Sequence, residues 1–374
     1  MILKNATIYD SDFKPKKLDI SVSGETIEQL GDALPQTDDA LDCTGCTVVP
    51  GFVDIHIHGG GGGDMADAHA QSLQKMSRYL AKHGVTSFCP ASMTLPQDAL
   101  MAQFAAVEAF KGHEEGARVL GVRMEGPYIS MEKKGAQSGE YVRLPDAAEF
   151  YALHAVSPVC AVDVAPEVEG ALAFAQAVSS VCTVSAGHTA ATFEETTQAL
   201  ARGFSHATHL FNAMPPVRNR EPGAVTAILD DASATAEMIC DGFHNHPAVV
   251  RLAFRALGPD RAVVVSDSMR AAGCGDGDYV LGGQQVFVRN GQARLADGTI
   301  AASTTNLFAE FRNLLSWGIP FADALRACTI NPARVVRAAD RVGSIAVGKV
   351  ADLLVLDEDL CIRHMLIHGK EYMQ

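Results

Sequence analysis

Residues 50–60 read Pro-Gly-Phe-Val-Asp-Ile-His-Ile-His-Gly-Gly. Phe52, Val53, Ile55 and Ile57 make a short apolar run, as in a strand buried in a parallel sheet, and the run ends on two histidines. His56 and His58 are two apart, so in a strand both imidazoles leave the same face. Two neutral imidazoles side by side suit a divalent transition ion. A lone HxH pair is more often structural, so its meaning depends on what the rest of the chain places at equivalent points.

Working outward, similar apolar runs recur with helical patterns between them: FVDIHIH (52–58), VTSFCP (85–90), RVLGVRME (118–125), CAVDVAPE (160–167), CTVSAGH (182–188), HATHLF (206–211), AEMICDG (236–242) and RAVVVSD (261–267). Eight is the number a closed (β/α)₈ barrel requires. Segments 67–84 and 193–203 have the apolar spacing of amphipathic helices, each closed by glycine. Segment 284–298 reads as an inserted hairpin turning at Asn290-Gly291, and helices around 306–317 and 322–328 follow. The first fifty residues and the last thirty instead alternate in short β patterns. The expected architecture is α/β: a TIM-like (β/α)₈ barrel over residues 51–342, with a small β-sandwich domain built from 1–50 and 343–374.

Composition narrows the chemistry. A chain of 374 residues with 48% hydrophobic content can bury a large core. A formal net charge of −14 argues against nucleic acid or an anionic membrane as the main partner. The first nineteen residues lack the apolar run of a signal peptide, and no stretch is long enough to span a bilayer. Nine scattered cysteines fit a reduced, cytoplasmic enzyme. The single CxxC at Cys43 and Cys46 has no second pair, so it reads as two small strand-flanking residues.

The ionisable residues fall at the ends of the strand patterns. His56 and His58 end the first, Glu125 the third, His188 the fifth, His209 the sixth and Asp267 the eighth. In a parallel barrel those ends meet at one mouth, where active sites lie. Imidazoles with a hard carboxylate oxygen suit zinc, iron or manganese, as one or two divalent ions, and Glu125 can serve one ion or bridge two. Asp267 can be both a metal ligand and the general base toward a metal-activated water, then pass the proton to a leaving amine. His206, three residues before His209, faces the other way on a strand and reads as structural. The glycine run at 59–63 lacks the lysine and hydroxyl ending of a phosphate loop, so it reads as close backbone turning beside the pocket. No GxSxG elbow is present to support a serine hydrolase.

Taken together, PGFVDIHIHGG, MEGPYIS with KKGAQ, SAGHT, THLFNAMPPVRNREPG, DGFHNHP, VVVSDSM and INPARVV with GSIAVGKVADLLVLD resemble the N-acetylglucosamine-6-phosphate deacetylases of the amidohydrolase superfamily, over essentially the whole chain. The resemblance implies hydrolysis of the N-acetyl group of a phosphorylated amino sugar, of the glucosamine or galactosamine series, or of another N-acyl or cyclic amide. It implies that Glu125, His188 and His209 hold the catalytic metal, with the retained His56 and His58 allowing a second ion, and that Asp267 is base and acid. Asn212 and Ala213 would offer donors near the sugar phosphate, Arg220 would pair with the phosphate, and His244 would meet the substrate. The resemblance also implies that Ile300 and Ala302 belong to a substrate-lining segment. Gln137 stands where some relatives place a substrate-contacting histidine, and an amide can donate there but not carry charge. The resemblance also implies a homodimer in which Arg220 and His244 reach the neighbouring site.

Overall fold

The computed structural model describes residues 1–35 and 39–372; residues 36–38 and 373–374 of the expected terminal unit lie outside them. Its centre is a ring of eight parallel strands, β1 (Phe52–Ile57), β2 (Val85–Pro90), β3 (Arg118–Val119 and Val122–Met124), β4 (Val159–Val164), β5 (Thr183–Ala186), β6 (Phe204–Ala207), β7 (Thr235–Met238) and β8 (Ala262–Val264). Each pairs in parallel with the next. β3 is broken at Leu120 and Gly121, so its first piece pairs with β2 and its second with β4. The ring closes just beyond β8, where the Asp267 N–H donates to the His56 carbonyl at 2.9 Å and the His58 N–H to the Ser268 carbonyl at 2.9 Å.

Helices cover the ring because each has one apolar face. In Ala70–Lys82 that face is Leu73, Met76 and Leu80, spaced three and four apart, all buried. Phe193–Leu200 starts with a reciprocal capping box between Thr192 and Glu195. The glycine run after β1 folds into a two-residue hairpin, Gly59–Gly60 against Gly63–Asp64. A Cβ at Gly59 would sit 2.5 Å from the Gly63 carbonyl oxygen and 2.7 Å from the Arg270 nitrogen, so only glycine allows this approach.

The chain termini share one sheet of eight strands. Leu353–Leu356 pairs antiparallel with Thr47–Pro50, which pairs with Ile2–Tyr9, and the remaining terminal strands extend both edges. The Ile27 N–H donates to the Lys349 carbonyl at 2.9 Å and the Gly348 N–H to the Ile27 carbonyl at 2.8 Å, tying Thr26–Gly31 to the segment that leads into Leu353–Leu356. Side-chain alternation decides which core each residue joins. Leu353 and Val355 join Leu3, Ile8, Ile20 and Val48 inside the terminal unit, whereas Leu354 and Leu356 pack into the barrel's core. Cys43 is buried in the terminal core and Cys46 packs against it.

The expected hairpin after β8 is part of a four-stranded antiparallel sheet, Gly277–Leu281, Gln284–Arg289, Gln292–Arg294 and Ile300–Ala302. Asn290 and Gly291 both have positive φ, 52° and 71°, as a tight two-residue hairpin turn requires. This sheet stands beside the barrel mouth and supplies one wall of the cavity there.

Candidate active site

All six strand-end residues converge at that mouth. Three of them, His188, His209 and Asp267, lie two or three residues past their strands with φ of 46°, 28° and 45°. Non-glycine residues in this region store roughly 1–2 kcal/mol each. Here hydrogen bonds hold them: Asp267 is gripped through its own N–H by His56 and through its carbonyl by the Ser303 N–H at 2.8 Å. The Ser130 N–H donates to the His188 carbonyl at 2.9 Å, and the His209 N–H to Glu237 Oε2 at 3.3 Å.

The ligand-type atoms form two groups around Glu125, His56 with His58 and Asp267, and Glu125 with His188 and His209. Glu125 Oε1 lies 3.1 Å from His188 Nε2, 3.2 Å from His209 Nε2 and 3.4 Å from His56 Nε2. Its Oε2 lies 3.2 Å from His58 Nε2. Asp267 Oδ1 is 3.2 Å from His58 Nε2 and 3.6 Å from His56 Nε2. A third grouping, His56 with Glu125 and Asp163, is satisfied from within, because Arg123 and Thr208 occupy the Asp163 carboxylate.

Tautomers show what this cluster needs. His58 Nδ1 faces the Ala91 carbonyl at 3.1 Å and His188 Nδ1 faces the Lys133 carbonyl at 2.9 Å. A carbonyl only accepts, so both Nδ1 atoms carry the proton and each neutral ring turns a bare Nε2 toward carboxylate oxygen. His56 Nδ1 likewise faces Glu237, and its buried Nε2 has no hydrogen-bond partner among the described residues. Lone pairs opposed at such distances repel unless a cation lies among them, so the residues fit divalent ions. In the metal-free chain protons take that place. Burial and Arg123 pull the His56 imidazole down, but Asp267 and Glu125 outweigh them and push its pKa up to about 9. Burial raises the Glu125 and Asp267 carboxyls, yet the imidazoles, His56 foremost, hold both below the usual carboxylate range.

Beneath the cluster lies a charged layer that the strand patterns did not single out. Arg123, fully buried, donates to Asp163 through Nε at 3.2 Å and Nη2 at 2.7 Å, and through Nη1 to Glu237. Glu237 also faces His56 Nδ1 at 3.1 Å and His206 Nε2 at 2.9 Å. The signal was present as charges inside apolar strands, Arg123 in VLGVRME, Asp163 in CAVDVAPE and Glu237 in AEMICDG. His206 is structural as expected, but it does not face away from the site. β6 ends at Ala207 and the turn at His209 suspends strand alternation, leaving His206 in the interior layer under the candidate metal ligands.

A cavity of about 380 Å³ opens over the cluster. His58, Glu125, His188, His209 and Asp267 line it, with Gln137, Asn212, Ala213, His244 and Ile300. Lys133, not singled out from sequence, lines it too and holds His188 through its carbonyl. Its signal was the paired lysines of MEKKGAQ. Asn212 Nδ2 is spent on the His209 and Leu210 carbonyls, at 3.2 and 3.3 Å. His244 stands in its own chain's cavity, with Nδ1 2.7 Å from Asp241 Oδ2, so Nε2 is the nitrogen left for a ligand. Ala302 is buried in the floor of a smaller neighbouring pocket, beside Phe243 and Ser303. Arg220 is exposed and lines an adjoining cavity that shares Glu132 and Lys133 with the first.

Comparison with known proteins agrees with this geometry. The chain matches the amidohydrolase family over residues 47–372. It is 37% identical to N-acetylglucosamine-6-phosphate deacetylase of Bacillus subtilis (strain 168), over 83% of this chain and 81% of that one. It is 35% identical to N-acetylgalactosamine-6-phosphate deacetylase of Escherichia coli O157:H7, over 92% and 91%. The structure of a mutant of N-acetyl-D-glucosamine-6-phosphate deacetylase from Mycobacterium smegmatis, in complex with N-acetyl-D-glucosamine-6-phosphate, matches with a TM-score of 0.92 and 32% identity, over 100% of this chain and 99% of that one.

Proposed function

The chain belongs to the amidohydrolase family, among its N-acetylglucosamine-6-phosphate deacetylases, and from that premise we propose how its residues carry out the reaction. The reaction is hydrolysis of N-acetylglucosamine 6-phosphate to glucosamine 6-phosphate and acetate. The observation that carries it is Asp267, a carboxylate kept ionised in a cavity that it lines together with His58, His188, His209 and Glu125, with His56 beneath them.

Amide hydrolysis is slow because the carbonyl is a weak electrophile and the amine a poor leaving group. Glu125, His188 and His209 would hold one divalent ion, and His56, His58 and Asp267 a second; bound there, such ions would supply the positive charge that acidifies water and polarises an acetyl carbonyl. Zinc, iron and manganese all suit this nitrogen and oxygen donor set. Asp267 removes the proton of the attacking water and returns it to the amine nitrogen as the carbon–nitrogen bond breaks. The grip on its N–H and carbonyl keeps the carboxylate aimed at one point through both transfers. His244, braced by Asp241, and the Ala213 N–H orient the sugar from the rim.

Lys133 and Arg220 meet the phosphate, and Arg220 does so from a neighbouring subunit. Supporting this, Arg220 is exposed and lies outside its own chain's principal cavity. The loops carrying Arg220 and His244 also expose apolar Val217 and Phe243, 56% and 52% accessible, as an interface between two copies would use. Nine free cysteines support a reducing, cytoplasmic setting.

The test is acetate release by chelated protein given back zinc, iron or manganese, with N-acetylglucosamine 6-phosphate, its galactosamine isomer and the unphosphorylated sugar. Metal-restored turnover confined to phosphorylated sugars is expected, and the isomer ratio reports the epimer preference. Turnover that survives chelation, or that ignores the phosphate, would overturn the reading.

A further inference from the structure

Gln137 is 3% exposed, and its side chain spans the loops that follow β2 and β3. The Thr94 N–H donates to its Oε1 at 2.7 Å. A backbone N–H only donates, so the amide oxygen faces Thr94 and the amide nitrogen faces Glu125, donating to Oε2. The two oxygens of Glu125 therefore have unlike surroundings. Oε1 is ringed by His188, His209 and His56, while Oε2 is shared between His58 and Gln137. The support is itself anchored: Gln284 donates to the Ala136 carbonyl, and the Gln137 N–H donates to the Lys134 carbonyl at 2.9 Å. Gly126, next to Glu125, packs so tightly on Thr94 that a Cβ there would lie 2.1 Å from Thr94 Oγ1.

We propose that Gln137 is a positioning residue for the metal centre: it holds Oε2 of Glu125 so that Oε1 is presented to His188 and His209, and thereby sets the affinity for the divalent ion. The inference rests on the metal centre described above and goes beyond it, because it assigns to Gln137 a task that needs no substrate. Groups that hydrogen-bond a metal ligand commonly contribute roughly 10- to 100-fold in affinity. The amide also lines the cavity, so its second amide hydrogen remains free for a ligand.

The experiment is a zinc competition against a chromogenic chelator, without substrate, on wild type, Gln137→Met and Gln137→His. Circular dichroism of each metal-free protein checks that it is folded. Gln137→Met removes both hydrogen bonds at similar length and is expected to weaken zinc binding roughly 10- to 100-fold. Gln137→His keeps a donor and is expected to stay closer to wild type. Unchanged zinc affinity in folded Gln137→Met, with only KM raised, would make Gln137 a substrate contact alone and overturn the proposal. Equal losses in the two variants would assign the effect to packing and overturn it as well. Wild type that takes up no zinc, iron or manganese would overturn the centre itself.

Discussion

Nδ1 of His56 lies 3.1 Å from Oε2 of Glu237, so an imidazole at the barrel mouth is oriented by a carboxylate in the layer beneath it. The same carboxylate receives His206, the His209 N–H and Arg123. Burial alone raises its pKa, but Arg123 and the histidines outweigh burial and hold it well below the ordinary glutamate range. The fully buried Arg123 is thus balanced by two carboxylates, Asp163 and Glu237, and the balance fixes ligands that Arg123 never touches.

Glu237→Gln should therefore damage stability and metal binding together. Removing one partner of a buried ion network leaves charge uncompensated and typically costs about 3–5 kcal/mol. Asp163 remains beside Arg123, so the low end, about 3 kcal/mol, is expected here. Guanidinium unfolding of metal-free protein measures the first effect, and zinc competition should show roughly tenfold weaker binding. A stability change below about 1 kcal/mol would mean that the network is not coupled as drawn.

Asp267→Asn tests the proton route. Asparagine keeps the side chain's size and leaves the backbone grip of His56 and Ser303 in place, but it cannot take a proton from water. Glu125, His188 and His209 are untouched, so elemental analysis should still find bound metal. The turnover number should fall by roughly 10²–10⁴. Turnover within tenfold of wild type, in protein holding its metal, would remove Asp267 from the role.

The candidate ligands stood out in the sequence because each sits where an apolar strand pattern stops, and a barrel gathers such stops at one end. His56 and His58 needed only the two-residue strand period. The layer below was not legible for the same reason in reverse. Arg123, Asp163 and Glu237 lie within strands, where a linear pattern treats a charge as noise, and only ring closure shows that three strands aim them at one another. Strand period also misled at His206, because it was carried past the end of β6. Arg220 was marked by its motif, yet no local pattern tells which chain's cavity an exposed loop residue serves.

Arg220→Ala and Lys133→Ala separate phosphate recognition from chemistry. A charge-assisted hydrogen bond contributes about 1.5–3 kcal/mol, which corresponds to roughly 10- to 150-fold in affinity. Each variant should raise KM for N-acetylglucosamine 6-phosphate within that range while changing the turnover number less than about threefold. If Arg220 acts across a dimer, mixing Arg220→Ala with inactive Asp267→Asn should lower KM toward the wild-type value in the hybrid pairs, whose one intact Asp267 site receives an intact Arg220 from its partner. Full affinity in Arg220→Ala would place phosphate binding on Lys133 and the rim alone.

Glu310 makes stability depend on pH at a distance from the chemistry. It lies fully buried on the helix Leu307–Ser316, with Oε2 accepting the Cys240 N–H at 2.7 Å and Oε1 without a hydrogen-bond partner among the described residues. Burial, then the nearby Asp241, push its carboxyl well above the usual glutamate value of 4.5, so the folded chain keeps a proton that the unfolded chain loses. The stability this proton provides is fully present below pH 4.5 and is lost as pH rises through the folded pKa. Glutamine preserves the acceptor for Cys240 and removes the titration. Metal-free Glu310→Gln should thus match wild type in urea unfolding near pH 5 within about 1 kcal/mol, and gain on it by at least about 1 kcal/mol by pH 8. Because Glu310 and Asn313 grip the N–H and carbonyl of Cys240, just before the Asp241–His244 pair, KM should stay near the wild-type value. Stability curves that run parallel from pH 5 to pH 8 would show that Glu310 titrates alike in the folded and unfolded chains.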